Sequence, residues 1–221
     1  MKNPFLAAAA FALAMPLSAQ TPFLVKDINP GSWPVGLSSD PGGFMLDGNT
    51  VYFRATGEAG TALYKFDGAT TQLVKDINPG AATGSLGRLV RVGSKLLFGA
   101  TSPDGRELWQ TDGTAAGTQL LADTVEGPSS PGWWNTNAQV GGLAFLSAST
   151  GLWVTDGTTP GTIRLASGPA VILGTIGSTV VFRGFDAERG MELWKTDGTV
   201  AGTTLVKDIA PGVTTRNCAT Y

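Results

Sequence analysis

The side chains that could carry acid–base chemistry in this sequence are carboxylates, because its 221 residues include no histidine. Ser-His-Asp triads, Cys-His dyads and histidine-based metal sites are therefore excluded. Cys218 is the single cysteine, so the chain cannot form an internal disulfide or a cysteine-based zinc or iron–sulfur site. We interpret Cys218 as chemically inert; a reactive thiol or an intermolecular disulfide is the alternative.

A pair of carboxylates is the catalytic arrangement that this composition permits, and glycoside hydrolysis is the reaction that such a pair performs. The candidates are Asp104, Asp186 and Glu188, which lie in loops between apolar segments. No sequence spacing links Asp104 with Asp186, and charged loop residues are generally solvated. We assign no catalytic residue, and a carboxylate-dependent glycoside hydrolase is the alternative interpretation.

A second set of residues could bind a ligand without transforming it. Trp33 lies in PGSWPVG, and Trp133 and Trp134 lie in SSPGWWNTN. Exposed tryptophan rings stack on sugar rings or peptide side chains, and nearby charged groups fix the orientation of the ligand. The structural alternative is that these rings fill gaps between sheets. The predicted ligand-binding residues are Trp33, Trp133, Trp134, Asp104, Arg106, Asp186 and Arg189.

A recurring TDGTxxGT segment offers another set of oxygen donors. Aspartate in such a turn accepts hydrogen bonds from nearby backbone N–H groups, and glycine adopts positive φ without steric cost. Each turn supplies one carboxylate and no D-x-D-x-D-G sequence occurs, so a structural role is favoured over calcium binding, which stays the alternative. We predict no metal site and no cofactor. The predicted structural-turn residues are Asp67, Gly68, Asp112, Gly113, Asp156, Gly157, Asp197 and Gly198.

The turn aspartates also mark an internal repeat, since Asp67, Asp112, Asp156 and Asp197 are 45, 44 and 41 residues apart. That period is typical of a four-stranded propeller blade. In each repeat a hairpin dipeptide separates the first two apolar runs. Segments similar to ELW and LVKDI then supply the third and fourth strands.

Aromatic residues recur in the second and third strands, and we expect them to pack between neighbouring sheets. The second strands are predicted to place Phe53, Phe98, Phe145 and Phe182 at one equivalent position. The third strands place Tyr64, Trp109, Trp153 and Trp194 at another.

The stretches ELWKTDGTVAGTTLVKDIAPG (residues 192–212) and ELWQTDGTAAGTQLLAD (residues 107–123) resemble the ELWxxDGT repeat family of exported bacterial proteins. The turn also resembles the Asp-box hairpin of sialidase-type propellers, where its role is structural. The resemblance implies a β-propeller-like repeat array, often attached to other modules, and it implies no particular activity. The first repeat departs from the motif with ALYKFDGA, and the third departs with GLW and LASGP.

The predicted fold is all-β: a β-propeller-like array of four four-stranded antiparallel sheets, plus an additional N-terminal strand at residues 23–28. One such sheet buries too little surface to be stable alone, so neighbouring sheets must stack. The additional LVKDI strand is compatible with an incomplete ring or with a closed ring that carries this strand outside. Exposed edges of an incomplete ring would favour self-association. The repeat domain is predicted at 20–212, with repeats near 32–80, 81–127, 128–169 and 170–212, followed by a tail at 213–221.

Residues 1–19 are typical of a secretory signal peptide, with Lys2 before an apolar run and a small-residue cleavage site at Leu17-Ser18-Ala19. The apolar run is shorter than the roughly 20 residues that a membrane span requires. We therefore expect no membrane span and a secreted, cell-surface or periplasmic protein.

The charge pattern limits the class of partner. The net charge is −2 and no basic stripe is present, so nucleic-acid binding is not expected. A non-catalytic exported repeat module, which binds an extracellular glycan or protein or forms surface architecture, is the interpretation that the sequence favours.

Overall fold

Short strands joined in chain order build the described part of the molecule. The computed structural model describes residues 24–28, 38–57, 60–80, 85–124, 135–209 and 211. The first sheet contains β1 (Gly42–Asp47), β2 (Thr50–Gly57), β3 (Gly60–Phe66) and β4 (Thr71–Lys75). The second contains β5 (Val90–Val92), β6 (Lys95–Ser102), β7 (Gly105–Thr111) and β8 (Gln119–Ala122). The third contains β9 (Asn135–Val140), β10 (Leu143–Ala148), β11 (Gly151–Thr155) and β12 (Ile163–Ser167). The fourth contains β13 (Ala170–Ile176), β14 (Thr179–Asp186), β15 (Gly190–Thr196) and β16 (Thr204–Lys207).

Each sheet is an antiparallel meander whose spatial order equals its order in the chain. The first hairpin of each sheet turns at a glycine with positive φ, as at Gly48 and Gly177, a conformation that costs glycine little. The described residues contain no helix. The predicted fold class, an all-β array of four four-stranded antiparallel sheets, is therefore confirmed.

Apolar side chains stack the sheets in chain order. Leu63 of the first sheet and Phe98 of the second share one core cluster. A second cluster joins Leu108 with Leu146, and a third joins Leu152 with Phe182. Among the described residues no core cluster joins the fourth sheet to the first, so the array is an open row in its apolar packing.

In the second, third and fourth sheets, the glycine of the Asp-Gly turn lies against the preceding sheet. A Cβ on Gly113 would lie 2.2 Å from the Tyr52 hydroxyl, and one on Gly198 would lie 3.0 Å from Leu143. Gly157 approaches Val92 in the same way, whereas Gly68 of the first sheet has no atom within 4 Å of its Cβ position. These turns therefore belong to the interface between sheets.

The expected equivalence of Phe145 with the other three phenylalanines is wrong. Phe98 pairs with Trp109 across the second and third strands, but the residue that pairs with Trp153 is Leu146. Because successive side chains of a strand point to opposite faces, this one-residue difference turns Phe145 toward the fourth sheet. Counting from the hairpin glycine, rather than matching aromatic residues, gives the correct register.

The additional strand expected at residues 23–28 differs from the structure. Residues 24–28 form bends and no strand, while residue 23 lies outside the described residues. Ile28 instead lies near the end of β2, where its carbonyl oxygen is 3.5 Å from the Cβ position of Gly57.

The predicted signal peptide and tail are outside the described residues. No helix in the described ranges is long and apolar enough to cross a membrane.

Candidate functional site

A cleft of about 700 Å³ lies where the β14–β15 loop of the fourth sheet meets the end of the third sheet. Its polar wall contains Asp186, Glu188 and Arg189, and its apolar wall contains Phe185 and Trp194. The sequence predicted Asp186 and Arg189 as ligand-binding residues, and the structure brings both to this cleft.

The loop holds the Asp186 carboxylate in place. Asp186 Oδ1 accepts hydrogen bonds from Glu188 N at 2.7 Å and Arg189 N at 3.2 Å. Its Oδ2 accepts a bond from Arg189 Nη1 at 3.0 Å. The hydrogen bond from the Glu188 amide, followed by those from Arg189, lowers the pKa of Asp186. Asp186 is therefore a fixed anion that orients Arg189, and it is unsuited to donate a proton.

Arg189 and Glu188 are the groups of this loop that could contact a ligand. The Arg189 side chain keeps 39% exposure while it is held by Asp186, and Glu188 is 80% exposed. A guanidinium with a fixed position recognises carboxylates and stacks on ring faces. The arrangement supports recognition of a ligand more directly than acid–base chemistry.

The other predicted charged residues lie on the second sheet. Asp104 is in the β6–β7 loop, where its amide donates to Ser102 Oγ at 3.3 Å. Arg106 is in β7 and donates to the Ser85 carbonyl at 3.0 Å, and burial lowers the pKa of its guanidinium. Because the third sheet separates these residues from the cleft, the structure does not assemble Asp104 with Asp186. Trp33, Trp133 and Trp134 lie outside the described residues.

Sequence reasoning missed the residues that the third sheet contributes to the cleft. Ser167 and Gly168 line it at the place where the third repeat has LASGP instead of VKDI. Gly168 has φ of 80°, and its Cβ position lies 3.1 Å from the Phe185 ring. The departure of this repeat from the common motif is the signal that could have identified this wall.

A second cavity, of about 320 Å³, lies between the first strands of three sheets. Met45, Arg88, Arg91 and Gln139 are among its lining residues. Arg91 forms an ion pair with Asp47, and Gln139 donates to the Arg91 carbonyl. These contacts connect β5 with β1 and with β9. Arg88 is a further charged group on the cavity wall.

The turns of the second, third and fourth sheets have the same pattern of internal hydrogen bonds. In the third sheet, Asp156 Oδ1 accepts bonds from Thr158 N at 2.8 Å and Thr158 Oγ1 at 2.7 Å. Gly161 N donates to Thr158 Oγ1 at 3.0 Å, and Thr162 Oγ1 donates to Thr158 O at 2.7 Å. The hydroxyl of Thr158, then its amide, lowers the pKa of Asp156. Asp112 and Asp197 make the equivalent contacts.

The first turn has a different network because it lacks the second Gly-Thr. Asp67 Oδ1 accepts bonds from Ala69 N at 2.9 Å and Thr70 N at 2.7 Å. The amide of Thr70 makes the largest contribution to the lowered pKa of Asp67. In both forms the carboxylate is bound by its own turn, and the described residues contain no group of three or more acidic or cysteine ligands that could hold a metal.

The glutamate of ELW accepts hydrogen bonds from the segment that follows the fourth strand of the same sheet. Glu107 Oε2 accepts bonds from Thr124 N and Thr124 Oγ1, both at 2.8 Å. Glu192 Oε2 accepts a bond from Ile209 N at 3.0 Å, also 17 residues later. Glu107 Oε1 is buried without a partner among the described residues. Burial raises the pKa of Glu107, while the bonds from Thr124 oppose this shift.

No protein-family model matches the chain, and no curated protein matches it in sequence. Among solved structures it is similar to a puromycin-hydrolyzing peptidase of Mycobacterium tuberculosis, with 18% identity over 74% of this chain and 28% of that one. The TM-score is 0.48. The chain thus spans about a quarter of the length of that peptidase.

Two shorter solved proteins are also similar. A putative TolB from Agrobacterium tumefaciens is 13% identical over 72% of this chain and 61% of that one, with a TM-score of 0.43. A gluconolactonase from Xanthomonas campestris is 16% identical over 75% and 59%, with a TM-score of 0.42. At these values the description of the fold rests on the four sheets of this chain.

Proposed function

We propose that the chain is an exported, non-catalytic repeat module that binds an extracellular glycan or protein at the cleft of the fourth sheet. One observation carries the proposal: the Arg189 guanidinium, held by Asp186, lines the same cleft of about 700 Å³ as the rings of Phe185 and Trp194. Ligand sites of this size generally combine apolar walls with a few oriented polar groups.

The lowered pKa of Asp186 argues against one of the roles that hydrolysis requires. A glycosidase needs one carboxyl group with a raised pKa to protonate the leaving group. The pKa of Asp186 is shifted in the opposite direction, and Asp104 lies on a sheet separated from it by another sheet. Asp186 therefore does not fit the role of the proton donor, and Asp104 does not line the cleft with it.

The proposal is tested with the purified protein on a glycan array and in a peptide-library capture. Arg189→Ala should weaken binding of any captured ligand about tenfold or more, as expected for a central arginine contact. Arg183→Ala is the matched control, because Arg183 is an exposed arginine of β14 that lies outside the cleft lining. The exposed Glu188→Gln tests a second group of the loop without breaking the Asp186–Arg189 pair.

Equal binding by wild type and Arg189→Ala, with unchanged melting temperatures, would overturn the cleft as the ligand site. The double variant Trp133→Ala/Trp134→Ala tests the predicted tryptophan site in the same assay. Cleavage of an array glycan would support the hydrolase alternative instead.

A further inference from the structure

The fourth sheet exposes a copy of the surface by which the first sheet contacts the second. We call this surface the outer face; it consists of Leu193, Lys195, Val206, Lys207 and Ile209. In the strand register Leu193 pairs with Lys207, just as Leu63 pairs with Lys75 in the first sheet. The outer face therefore carries the same residue types as the first sheet at matching positions.

The lysines of the first sheet show what this surface binds. Lys65 Nζ donates to the Gly113 carbonyl at 3.0 Å. Lys75 Nζ donates to the carbonyls of Thr118 at 2.9 Å and Ala115 at 3.4 Å. All three acceptors belong to the complete TDGTAAGT turn of the second sheet. Two ammonium groups thus hold the carbonyl oxygens of a neighbouring turn.

The corresponding lysines of the outer face have no such partner. Lys195 and Lys207 are both exposed, and no described residue accepts a hydrogen bond from either of them, whereas Lys65 and Lys75 are half-buried. In the second and third sheets the positions of Lys65 and Lys75 are taken by uncharged residues. The lysine pair is therefore present at one occupied interface and at one open face.

The apolar residues show the same contrast. Val74 is 3% exposed and Ile77 is 6% exposed, because the second sheet covers them. Val206 and Ile209 occupy the same motif positions and are 48% and 66% exposed. Leu121 and Leu165, the equivalents of Val206 in the second and third sheets, are buried. An apolar stripe flanked by unpaired donors is typical of an interaction surface.

The first sheet of a second copy fits this surface poorly. Its turn lacks the second Gly-Thr, and therefore lacks the carbonyls that correspond to Ala115 and Thr118. On that sheet Phe53 and Ala55 are already buried. A complete turn supplies all three acceptors.

We propose that the outer face of the fourth sheet binds a further sheet of the same repeat type, through the carbonyl oxygens of a complete TDGTxxGT turn. Lys195 takes the carbonyl that corresponds to Gly113, and Lys207 takes those that correspond to Ala115 and Thr118. Val206 and Ile209 are covered in the same step. This interaction is independent of the cleft and of its proposed ligand.

The test uses the full chain with a copy of residues 81–124 inserted after Gly212, which reproduces the Pro-Gly junction between the first two repeats. Acetylation of each lysine is followed by mass spectrometry. In the original chain Lys195 and Lys207 should react faster than Lys65 and Lys75. In the extended chain their reaction should slow about tenfold, because the bonded state must open before the amine reacts.

Two controls make the test specific. A chain with residues 32–80 inserted at the same place carries the short turn, and it should protect Lys207 much less. Lys195→Ala/Lys207→Ala should lower the urea midpoint of the extended chain while leaving that of the original chain unchanged. Unslowed acetylation of Lys195 and Lys207 in the extended chain would overturn the proposal, whether or not the inserted sheet folds. Equal protection by the short-turn insert would overturn the requirement for a complete turn, as would a dimer of the original chain that this double variant dissociates.

Discussion

The carboxylate of Asp156 lies directly against the α-carbon of Gly161. A Cβ at residue 161 would lie 2.0 Å from Asp156 Oδ1, and the same relationship links Asp112 with Gly117 and Asp197 with Gly202. Real Cβ atoms do not approach other atoms so closely. The second glycine of TDGTxxGT is therefore explained by the space that the aspartate needs.

Removing the aspartate should weaken the turn. Asp156→Ala deletes the acceptor of two hydrogen bonds from Thr158, and we expect a loss of about 1–2 kcal/mol in the free energy of unfolding. Urea unfolding measures this, with the loop variant Asp104→Ala as a control that should stay within about 0.5 kcal/mol. Calcium should leave the melting temperature of the wild type unchanged; a rise that disappears in Asp156→Ala would identify a metal site instead.

Adding a methyl group at the second glycine should have a comparable effect by a different route. Gly161→Ala forces the Asp156 carboxylate away from its place, and we expect a loss of about 1–3 kcal/mol. In Asp156→Ala the obstructing carboxylate is absent, so the same glycine substitution should cost much less. A double-mutant cycle measures this coupling. Additive losses would show that residue 161 and Asp156 do not compete for the same space.

Two identical valines at one motif position should respond differently to truncation. Val74→Ala removes buried methyl groups between the first and second sheets, and should cost about 2 kcal/mol. Val206→Ala removes the same groups from a half-exposed position and should cost less than about 0.5 kcal/mol. Urea midpoints of the two variants give the comparison. Equal losses would mean that the fourth sheet is covered in solution.

The buried glutamate of the second sheet should make stability depend on pH. The raised pKa of Glu107 means that the folded chain holds this proton more tightly than the unfolded chain does. Its favourable contribution is therefore complete below the unfolded value of about 4.3, and it is lost as the pH rises through the folded pKa. Glu107→Gln keeps an acceptor for Thr124 without the charge, so its stability should vary less with pH above about 4.

Glu107→Ala separates the effect of charge from the effect of the hydrogen bonds. It leaves the amide of Thr124 without its acceptor, and should cost about 1–3 kcal/mol across the pH range. Unfolding midpoints measured between pH 4 and 8 compare the two variants with the wild type. If stability depends on pH in the same way for Glu107→Gln and wild type, the raised pKa of Glu107 is contradicted.

The sequence predicted the repeat, the number of strands and the place of the turns, because Asp-Gly dipeptides and apolar alternation are local signals. It misplaced Phe145 because an aromatic residue alone does not define the face of a strand; the distance from Gly141 does. It assigned no role to Gly117, Gly161 and Gly202, since their contact with an aspartate five residues earlier appears only when the turn is folded.

The candidate site was less predictable than the fold. Asp186 and Arg189 were predicted because loop charges outside a repeated motif stand out. Phe185 and Trp194 were not assigned to a ligand site, because their exposure to a cleft depends on how the third and fourth sheets pack. The equivalent motif positions of Lys195 and Lys65 are visible in the sequence. Their different environments depend on which sheet faces are covered.

The order of the strands has a kinetic consequence. Every sheet pairs strands that follow one another in the chain, and each core cluster joins sheets that are consecutive. Contacts at short sequence separation give a low relative contact order. Such chains lose little loop-closure entropy before they gain native interactions. This β protein should therefore fold faster than a Greek-key sandwich of equal length.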